Sequence, residues 1–562
     1  MENNSQKLSI LEKTAYGAGD MACNLFWGLI VLSSVFYTDY FGIPATAAAL
    51  MMLIVRILDI SFDVFIGAVA DRKNTKYGRF RPWILYGVVP FCVIGFFTFY
   101  TPKFNNDNMM LVYAYVTYLI FMLMYSVVNV PYGALMGVIS EDPKERTAVS
   151  AYRNIGAQIG CLVVYGTLFS TVSFFQTSYN MAPQKAFSSV VFIYAIVVLI
   201  SLLGTFFFTR ERVAPVKEEK NKLSDDVKDL VSNKPWIILT ISGIMLLVFI
   251  FCHNGLIVYY AKYFVANSEV IKVETIVDVK KDDKDKNKTI SYISDSGFED
   301  ASFDAPRKLA VVGSDGVIDS ISTEKSFQIE KEGKLVSIKT VRGKEAQPEV
   351  GDKVAFFTYK VSGKFLGWDL NWELLSTLLL SIGAIVTIIG TLLIRPVVDK
   401  FGKKPTWIGC FVLASIVSIA FYFVPKESLG TIIILQTFFT LFIGPAGFIM
   451  WSMYADVADY AEVKTGRRAT GLIFSSATMA QKLGNTFANT LPLFALGAVG
   501  FIGNDINMTD STRHAVLVIY ALFPLIGSVI AVAALFFYNI DEKMIQENSA
   551  ILAKMKEEKE GK

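Results

Sequence analysis

The sequence predicts an all-α polytopic membrane protein whose twelve transmembrane helices form two six-helix halves, with a small β-rich extracytoplasmic insert. Three observations support this fold class. Of the 562 residues, 53% are hydrophobic and 18% are charged, whereas about 25% of a typical soluble domain is charged. Twelve apolar runs have lengths near or above the roughly 20 residues that a helix needs to cross a bilayer. One polar segment in the second half of the chain contains short alternating runs instead.

The apolar runs are arranged as six runs, a charged connector and six further runs. They lie at roughly 22–42, 46–70, 82–101, 108–139, 148–175, 187–209, 236–265, 372–395, 406–424, 429–455, 469–500 and 513–539. Lys and Arg are concentrated in the short loops after the second, fourth, eighth and tenth runs. Because cytoplasmic loops carry such an excess, we expect both termini to lie in the cytoplasm.

These features divide the chain into six predicted parts. They are an N-terminal half (1–209), a cytoplasmic connector (210–235), a seventh span (236–266), an extracytoplasmic insert (267–367), spans eight to twelve (368–540) and a cytoplasmic tail (541–562). The second and eighth spans both end in Asp followed by cations and Gly, and such duplicated halves are typical of rocking transporters. We interpret these two segments as a cytoplasmic gate, with the residues Asp71, Arg72, Arg79, Asp399, Lys400 and Lys403.

The insert contains many charged residues and short alternating runs, whereas the rest of the chain consists mainly of long apolar runs. It begins with the charged run KKDDKDKNK and continues with KLAVVGSDGVIDSI, SFQIEKEGKLVSIKTV and DKVAFFTYKVSG. Gly-containing turns between β-branched runs predict hairpins. Because the segment contains no Cys and no catalytic motif, a lid or a module that docks an outer partner is favoured over an enzymatic domain.

Two carboxylates of the second span predict a cation site. An ionisable group at membrane depth costs several kcal/mol unless it is paired, so each one is a functional candidate. Asp59 and Asp63 are four residues apart and share a helix face, and Ser126 and Asn129 of the fourth span supply further oxygen atoms. Such ligands suit a monovalent cation better than a transition metal. A structural ion-pair cluster with Arg56 is the alternative, but it would need no second carboxylate.

A second polar group predicts a substrate site. Asp20 and Asn24 share a face of the first span, and a carboxylate with an amide and aromatic rings suits sugar hydroxyls. Arg153 and Lys482 offer donors from opposite halves, and their alternative role is to compensate the charge of the carboxylates. Aromatic residues at similar depth are Trp27, Tyr125 and Trp451; each taken alone is more often a core residue than a ligand contact.

Several classes of protein are excluded. The net charge of +3 is too small for a nucleic-acid binder. Five Cys without CxxC pairing and two His indicate neither a zinc site nor a disulfide framework. No nucleophile–base set or nucleotide loop is present, so we expect no enzyme, no cofactor and no metal site beyond one for Na⁺.

Four segments carry a family resemblance. They are AYGAGDMACN, RILDISFDVFIGAVADRKNTKYGRFRPWILYG, YSVVNVPYGALM and YADVADYAEVKTGRRATGLIFSSATMAQKLGNTF. The chain resembles the glycoside–pentoside–hexuronide:cation symporters of the melibiose permease type, a branch of the major facilitator superfamily. The resemblance covers both six-span halves but excludes 267–367.

The resemblance implies roles for individual residues. Cation ligands of the family match Asp59, Asp63 and Ser126, and its sugar-binding residues match Asp20, Tyr125 and Arg153. A lysine between the two sites matches Lys482, and a threonine one turn before it matches Thr478. Two positions depart from the family pattern: Asn129 replaces a second sugar-binding aspartate, and Gly133 replaces a tryptophan that stacks on sugar.

These departures change the charge of the predicted core. Asp20, Asp59 and Asp63 are balanced by three bases, Arg56, Arg153 and Lys482. One bound monovalent cation therefore leaves +1, which a uronide would cancel. We predict a symporter of the bacterial inner membrane that lies among membrane lipid and imports a sugar or glycoside, with a preference for uronides, together with H⁺ or Na⁺. The rivals are a sodium-coupled lysolipid carrier of the same fold and a membrane sugar sensor that uses the insert.

Overall fold

The computed structural model describes most of the chain. The described residues are 7–72, 75–102, 107–140, 143–179, 181–212, 232–275, 310–312, 318–321, 326–331, 334–339, 353–465, 470–503 and 508–560. The predicted connector falls largely outside them, at 213–231, as does the charged beginning of the insert within 276–309. Every structural statement below concerns the described part of the chain.

Long helices dominate the described residues. The α-helices are α1 Ile10–Val31, α2 Ser33–Val35, α3 Ala45–Arg72, α4 Arg81–Thr98, α5 Asp107–Val138, α6 Pro143–Tyr179, α7 Pro183–Phe208, α8 Lys234–Tyr259, α9 Trp372–Leu393, α10 Arg395–Phe401, α11 Lys403–Phe423, α12 Leu429–Ile443, α13 Ala446–Thr465, α14 Thr470–Ala498, α15 Asp510–Ala521, α16 Leu525–Phe536 and α17 Glu542–Glu560. Two π-helical segments, Phe36–Phe41 and Tyr260–Val265, continue α2 and α8.

The strands lie between α8 and α9. They are β1 Ala266–Thr275, β2 Ala310–Val312, β3 Ile318–Ile321, β4 Ser326–Lys331, β5 Lys334–Lys339, β6 Lys353–Phe365 and β7 Trp368–Asn371. A five-stranded antiparallel sheet has the order β1-β6-β4-β5, with β7 also paired to β6, and β2 pairs with β3 alone. The hairpins β2–β3 and β4–β5 coincide with the first two alternating runs of the sequence.

The helices identify an integral membrane protein. Among the described residues, nine helices are long and apolar enough to cross a membrane, and ten if the bent pair Ile10–Val31 and Ser33–Phe41 is one span. Two other helices are of sufficient length, since α3 has 28 residues and α14 has 29. Charged residues lower the apolar character of α3, which carries Arg56, Asp59 and Asp63.

The chain divides into two compact units. Unit 1 contains Met1–Pro215, Val258–Leu378 and Leu493–Val516, and unit 2 contains Val216–Ile257, Leu379–Pro492 and Leu517–Lys562. Unit 1 therefore combines the N-terminal helices with the strands and with short segments from the second half of the sequence.

Glycines set the spacing of α1 and α6 in unit 1. A Cβ added at Gly156 would meet the backbone oxygen of Gly17, and one at Gly160 would meet the backbone oxygen of Met21. A Cβ at Gly17 would lie 2.6 Å from the oxygen of Tyr152. Because only hydrogen fits at these positions, the two backbones approach closely enough for polar side chains on α1 and α6 to meet.

Acidic side chains hold the ends of several helices in unit 1. Glu12 accepts hydrogen bonds from Arg212 Nη1 and Nη2 at 2.7 and 2.9 Å. Glu211 accepts hydrogen bonds from the backbone N–H groups of residues 79 to 81 at 2.8–3.0 Å, at the start of α4. Glu145 lies 2.7 Å from Lys13 Nζ, and this hydrogen bond lowers the pKa of the Glu145 carboxyl.

Candidate functional site

The first polar cluster of unit 1 forms around Asp59 of α3. Its Oδ1 accepts a hydrogen bond from Ser126 Oγ of α5 at 2.7 Å, and its Oδ2 accepts one from Arg56 Nη1 at 3.2 Å. All three residues are at least 98% buried. The predicted partners Asp59 and Ser126 are therefore brought together, although they are 67 positions apart in sequence.

Aromatic rings enclose the cationic side of this cluster. The Arg56 guanidinium lies 5.2 Å from the centre of the Trp27 ring, and the Trp27 and Tyr125 rings are 5.9 Å apart. A guanidinium over an aromatic face is stabilised by the quadrupole of the ring. Arg56 is thus held at Asp59 both by charge and by Trp27.

Asp63 and Asn129 lie one turn further along their helices. Asp63 follows Asp59 by four residues on α3, and Asn129 follows Ser126 by three residues on α5, so each pair shares a helix face. Both side chains are half-buried. Asp59 and Ser126 are in direct contact, and the cation-binding role of all four residues stays a prediction.

The second polar cluster joins α1 to α6. Arg153 Nε donates a hydrogen bond to Asp20 Oδ1 at 3.3 Å. Asp20 is 5% exposed, whereas the side chain of Arg153 is 32% exposed. Two predicted substrate residues are therefore brought together as an ion pair, the contact expected of the alternative role of Arg153 in charge compensation, and its guanidinium is still partly accessible.

Two tyrosines line this cluster and were missed by the sequence reasoning. The rings of Tyr16 and Tyr132 stack with centroids 4.7 Å apart, and each hydroxyl donates to the backbone oxygen of the other residue, at 3.1 and 2.7 Å. The Arg153 guanidinium lies 5.8 Å from the Tyr132 ring centre. The motif YSVVNVPYGALM contains Tyr132, but its aromatic ring gave no signal distinct from the other aromatic residues.

Asn24 has a local hydrogen bond in this structure. Its Nδ2 donates to the backbone oxygen of Asp20 at 2.9 Å, and Cys161 Sγ lies 3.7 Å from its Oδ1. Asn24 therefore lies at the predicted place beside Asp20, with its amide nitrogen directed to its own helix.

The remaining predicted substrate residues belong to unit 2. Trp451 of α13 is half-buried, with its ring 6.2 Å from that of Tyr454. Lys482 of α14 is buried. Thr478 lies on the same helix, one turn before Lys482, but its side chain is outside the described part of the structure.

The predicted gate residues have varied surroundings. The side chains of Asp71 and Arg72 are outside the described part, and Arg79 is half-buried. Asp399 is exposed and lies 4.0 Å from Arg395, and exposed Lys400 lies over the Phe401 ring. Lys403 contacts both oxygens of Asp456, at 2.7 and 2.6 Å.

Asp456 is a second residue that the sequence reasoning missed. It lies within the motif YADVADYAEV, which contains three acids at short spacing. The sequence gave no means of choosing which acid pairs with which of the Lys residues after the eighth span.

The helical fold and the buried ionisable clusters define a polytopic membrane carrier. A solved bacterial homologue of the human lysosomal transporter Spinster shares this fold, with a TM-score of 0.56, 10% identity and coverage of 96% of this chain and 97% of that chain. The profile of the family described as MFS/sugar transport protein matches residues 15–277 and 362–542. The chain belongs to this family, which confirms the predicted resemblance; it is a transporter and not an enzyme.

The sequence similarity to curated relatives extends over nearly the whole chain. An uncharacterized symporter, YnaJ, of Bacillus subtilis (strain 168) is 26% identical over 97% of this chain and 94% of its own length. A glucuronide carrier protein homolog of Escherichia coli (strain K12) is 24% identical over 97% of this chain and 95% of its own. The chain is accordingly similar to sugar symporters.

Proposed function

We propose that this sugar symporter imports a glycoside together with H⁺ or Na⁺ by alternating access. The observation that carries the proposal is the fully buried Asp59, which is held by Ser126 and Arg56 within the same unit as the Asp20–Arg153 pair. Two carboxylate clusters, one for a cation and one for a hydroxylated solute, are what cotransport of two ligands requires.

The cation would bind to oxygen atoms of Asp59, Asp63, Ser126 and Asn129. Arg56 donates to Asp59 at 3.2 Å, so it supplies positive charge to this carboxylate before a cation arrives. A cation that enters would take over part of this neutralisation, which stabilises the ionised form of Asp59 in poorly hydrated surroundings. Arg56 therefore acts as the charge-balancing residue of the site.

The substrate would bind through Asp20, Asn24, Tyr125, Asn129, Arg153, Trp451, Thr478 and Lys482. Asp20 offers acceptors to sugar hydroxyls, and Arg153 offers donors that suit a hydroxyl or a carboxylate. Because α1 carries both Trp27 and Asp20, a shift of α1 on cation binding would change the substrate cluster. By linkage, each ligand then raises the affinity for the other by the same factor.

The charge of the predicted core favours a uronide among possible glycosides. Its three acids and three bases sum to zero, and a bound monovalent cation adds one positive charge that a carboxylate on the sugar cancels. The relative named as a glucuronide carrier homolog supports the same substrate class.

We also infer the arrangement of the chain in the membrane. The ten spans identified by length and composition, with α3 and α14, give the twelve helices that the sequence predicts. The parts of the chain keep their predicted bounds, namely 1–209, 210–235, 236–266, 267–367, 368–540 and 541–562. Both termini would lie in the cytoplasm of a bacterium, with the insert on the outer side of the inner membrane, where it contacts lipid or an outer partner.

Uptake into proteoliposomes tests the proposed function. Labelled glucuronides and neutral galactosides would be offered with a Na⁺ gradient, with an H⁺ gradient and with neither. We expect accumulation to require one of the gradients, and the glucuronides to compete better in counterflow. Asp59→Asn should lower ion-driven uptake about tenfold or more, because the variant loses a charge-assisted interaction with the ion.

The control is Asp369→Asn, which changes a carboxylate that is largely exposed on β7. We expect uptake by this variant to equal that of the unmodified protein. Equal accumulation without any ion gradient would contradict symport. Better competition by neutral galactosides would contradict only the preference for uronides.

A further inference from the structure

A buried ion pair in unit 1 lies beside the strands and includes no residue of either predicted site. Lys262 Nζ donates to Asp39 Oδ2 at 2.9 Å, and the two side chains are 4% and 3% exposed. Each residue lies in a π-helical segment, Phe36–Phe41 for Asp39 and Tyr260–Val265 for Lys262. Such segments are rare and frequently mark functional sites. Asp39 precedes the predicted connector (210–235) and Lys262 follows it, so they come from the two predicted six-helix halves of the sequence.

Further groups complete the hydrogen bonding of the Asp39 carboxylate. Tyr263 OH donates to Oδ2 at 2.7 Å, and Thr38 Oγ1 lies 2.8 Å from Oδ1. The Thr38 hydroxyl is also 2.8 Å from Tyr259 OH. A Cβ added at Gly503 would lie 2.8 Å from the backbone oxygen of Thr38, so this glycine allows the chain to approach the pair closely.

Aromatic rings surround the Lys262 ammonium. It lies 5.1 Å from the centre of the Tyr263 ring, 5.0 Å from that of Tyr359 and 4.9 Å from that of Trp372. Cation–π attraction is strongest when the pair is removed from water, and Tyr359 is 3% exposed. The rings therefore both attract the ammonium and exclude water from it.

One of these rings belongs to the strand segment, and another lies where that segment meets α9. Tyr359 lies on β6, opposite Ser268 of β1, and Trp372 is the first residue of α9, directly after β7. β1 in turn begins at Ala266, immediately after the π-helical segment that carries Lys262. The base of the β1–β6 strand pair, where Ala266 is opposite Val361, therefore lies at the ion pair that joins the two predicted six-helix halves.

We propose that the Asp39–Lys262 pair is a latch, an ion pair that keeps the carrier closed at the end that bears the insert. We also propose that the base of the β1–β6 strand pair is its cap, which keeps water away from the two charges. The inference rests on the proposed alternating access, because opening at this end requires contacts between the two halves to break. Removal of one charge leaves its partner buried and uncompensated, which strongly destabilises the closed state. Removal of the Tyr359 ring lets water reach the pair and weakens it.

The test is the accessibility of a cysteine on α9, the helix that begins at Trp372. Thr377 is half-buried on α9, and its Oγ1 is 3.4 Å from Ser170 Oγ of α6. Thr377→Cys would be placed in full-length protein whose five native cysteines are replaced, and its reaction with a hydrophilic maleimide would be timed in nanodiscs. No sugar or ion gradient is present, so the readout does not depend on transport.

We expect Lys262→Met to raise the labelling rate about 100-fold and Tyr359→Ala to raise it about tenfold. Tyr359→Phe should retain slow labelling, because the ring is preserved. Trp368→Ala is the matched control on the same sheet, since this aromatic residue is 75% exposed. An unchanged rate in Lys262→Met would overturn the latch, and an unchanged rate in Tyr359→Ala would overturn the cap.

A shortened variant separates the contribution of the β1–β6 strand pair from that of the rest of the insert. Thr275 and Lys353 are paired in register, so residues 276–352 can be replaced by an Asn-Gly turn that suits a two-residue hairpin. We expect this variant to label as slowly as the full chain. Fast labelling in a variant that still elutes as a folded monodisperse protein would show that the base alone is not the cap.

Discussion

At the scale of single residues, Asp59 illustrates how a carboxylate is kept within a membrane-spanning helix. An unpaired ion transferred from water into a protein interior costs several kcal/mol. Ser126 and Arg56 offset this penalty, since each donates to one oxygen of the carboxylate. The hydroxyl of Ser126 is neutral, so it can stay in place when a cation arrives, whereas Arg56 competes with the cation through its charge.

The hydrogen bond from Ser126 to Asp59 leads to a mutational prediction for the cation site. Ser126→Ala removes one ligand or one hydrogen bond at Asp59, and the net value of a hydrogen bond to a charged group is about 1.5–3 kcal/mol. We expect the concentration of the coupling cation at half-maximal uptake to rise about tenfold or more. The maximal uptake rate should change less, because Asp59 itself remains. The measurement is sugar uptake as a function of the concentration of the coupling cation.

Ser188→Ala provides the control for this experiment. Ser188 is also buried, but its hydroxyl donates to the backbone oxygen of Gln184 within α7. The cation dependence of Ser188→Ala should equal that of the unmodified protein. An equal increase in both variants would mean that Ser126 acts through helix packing rather than at the cation site.

Residue patterns predicted the polar clusters only in part. The charged side chains of Asp20, Arg153 and Asp59 stood out because such groups are rare at membrane depth. Tyr16 and Tyr132 did not stand out among 25 tyrosines. Their selection depends on the stacking of two rings 116 positions apart, which arises only when α1 and α5 are packed.

At the scale of secondary-structure elements, the contact of α1 with α6 determines whether Asp20 can reach Arg153. The backbones approach at Gly17, Gly156 and Gly160. Small residues at helix contacts allow such close approach in membranes, where packing rather than burial from water drives association. The same contact therefore stabilises unit 1 and positions the substrate cluster.

A substitution at Gly156 tests this dependence. In Gly156→Ala, the new methyl group would meet the backbone oxygen of Gly17, which cannot rotate away. Overpacking of this kind costs about 1–3 kcal/mol, so we expect a lower Tm in detergent. Sugar binding should weaken about tenfold or more, since the 3.3 Å contact of Asp20 with Arg153 would lengthen.

Gly204→Ala on α7 is the matched control, because no atom lies within 4 Å of its added Cβ. This variant should retain both the Tm and the sugar affinity. If Gly156→Ala instead binds sugar normally at an unchanged Tm, the close approach of α1 and α6 is not needed for the site.

The irregular parts of the elements were not predicted. The apolar runs predicted helical spans without indicating their local geometry, whereas Phe36–Phe41 and Tyr260–Val265 are π-helical. A π-helical turn changes the face on which the following residues lie, and hydrophobic periodicity averages over such a local change. Asp39 and Lys262, which are 223 positions apart, therefore gave no sequence signal that they would meet.

At the scale of the whole molecule, the distribution of charged loops leads to an orientation that labelling can test. Lys and Arg are enriched in the loops after alternate spans, including the loop that contains Lys76, and this pattern predicts a cytoplasmic position for these loops. The insert, which contains Lys364, falls on the opposite side of the membrane by the count of spans. Both lysine side chains are exposed, so they form a matched pair of reporter sites.

Lys76→Cys and Lys364→Cys would each be expressed in cells in a background whose native cysteines are replaced. Only side chains on the outer face of the membrane react with a membrane-impermeant maleimide in intact cells. We therefore expect Lys364→Cys to be labelled at once and Lys76→Cys to be labelled only after permeabilisation. The opposite result would invert the orientation, and labelling of both positions in intact cells would mean an even number of spans between them. Because five long helices, α4 to α8, lie between the two positions, an even number would point to one of these helices that does not cross the bilayer.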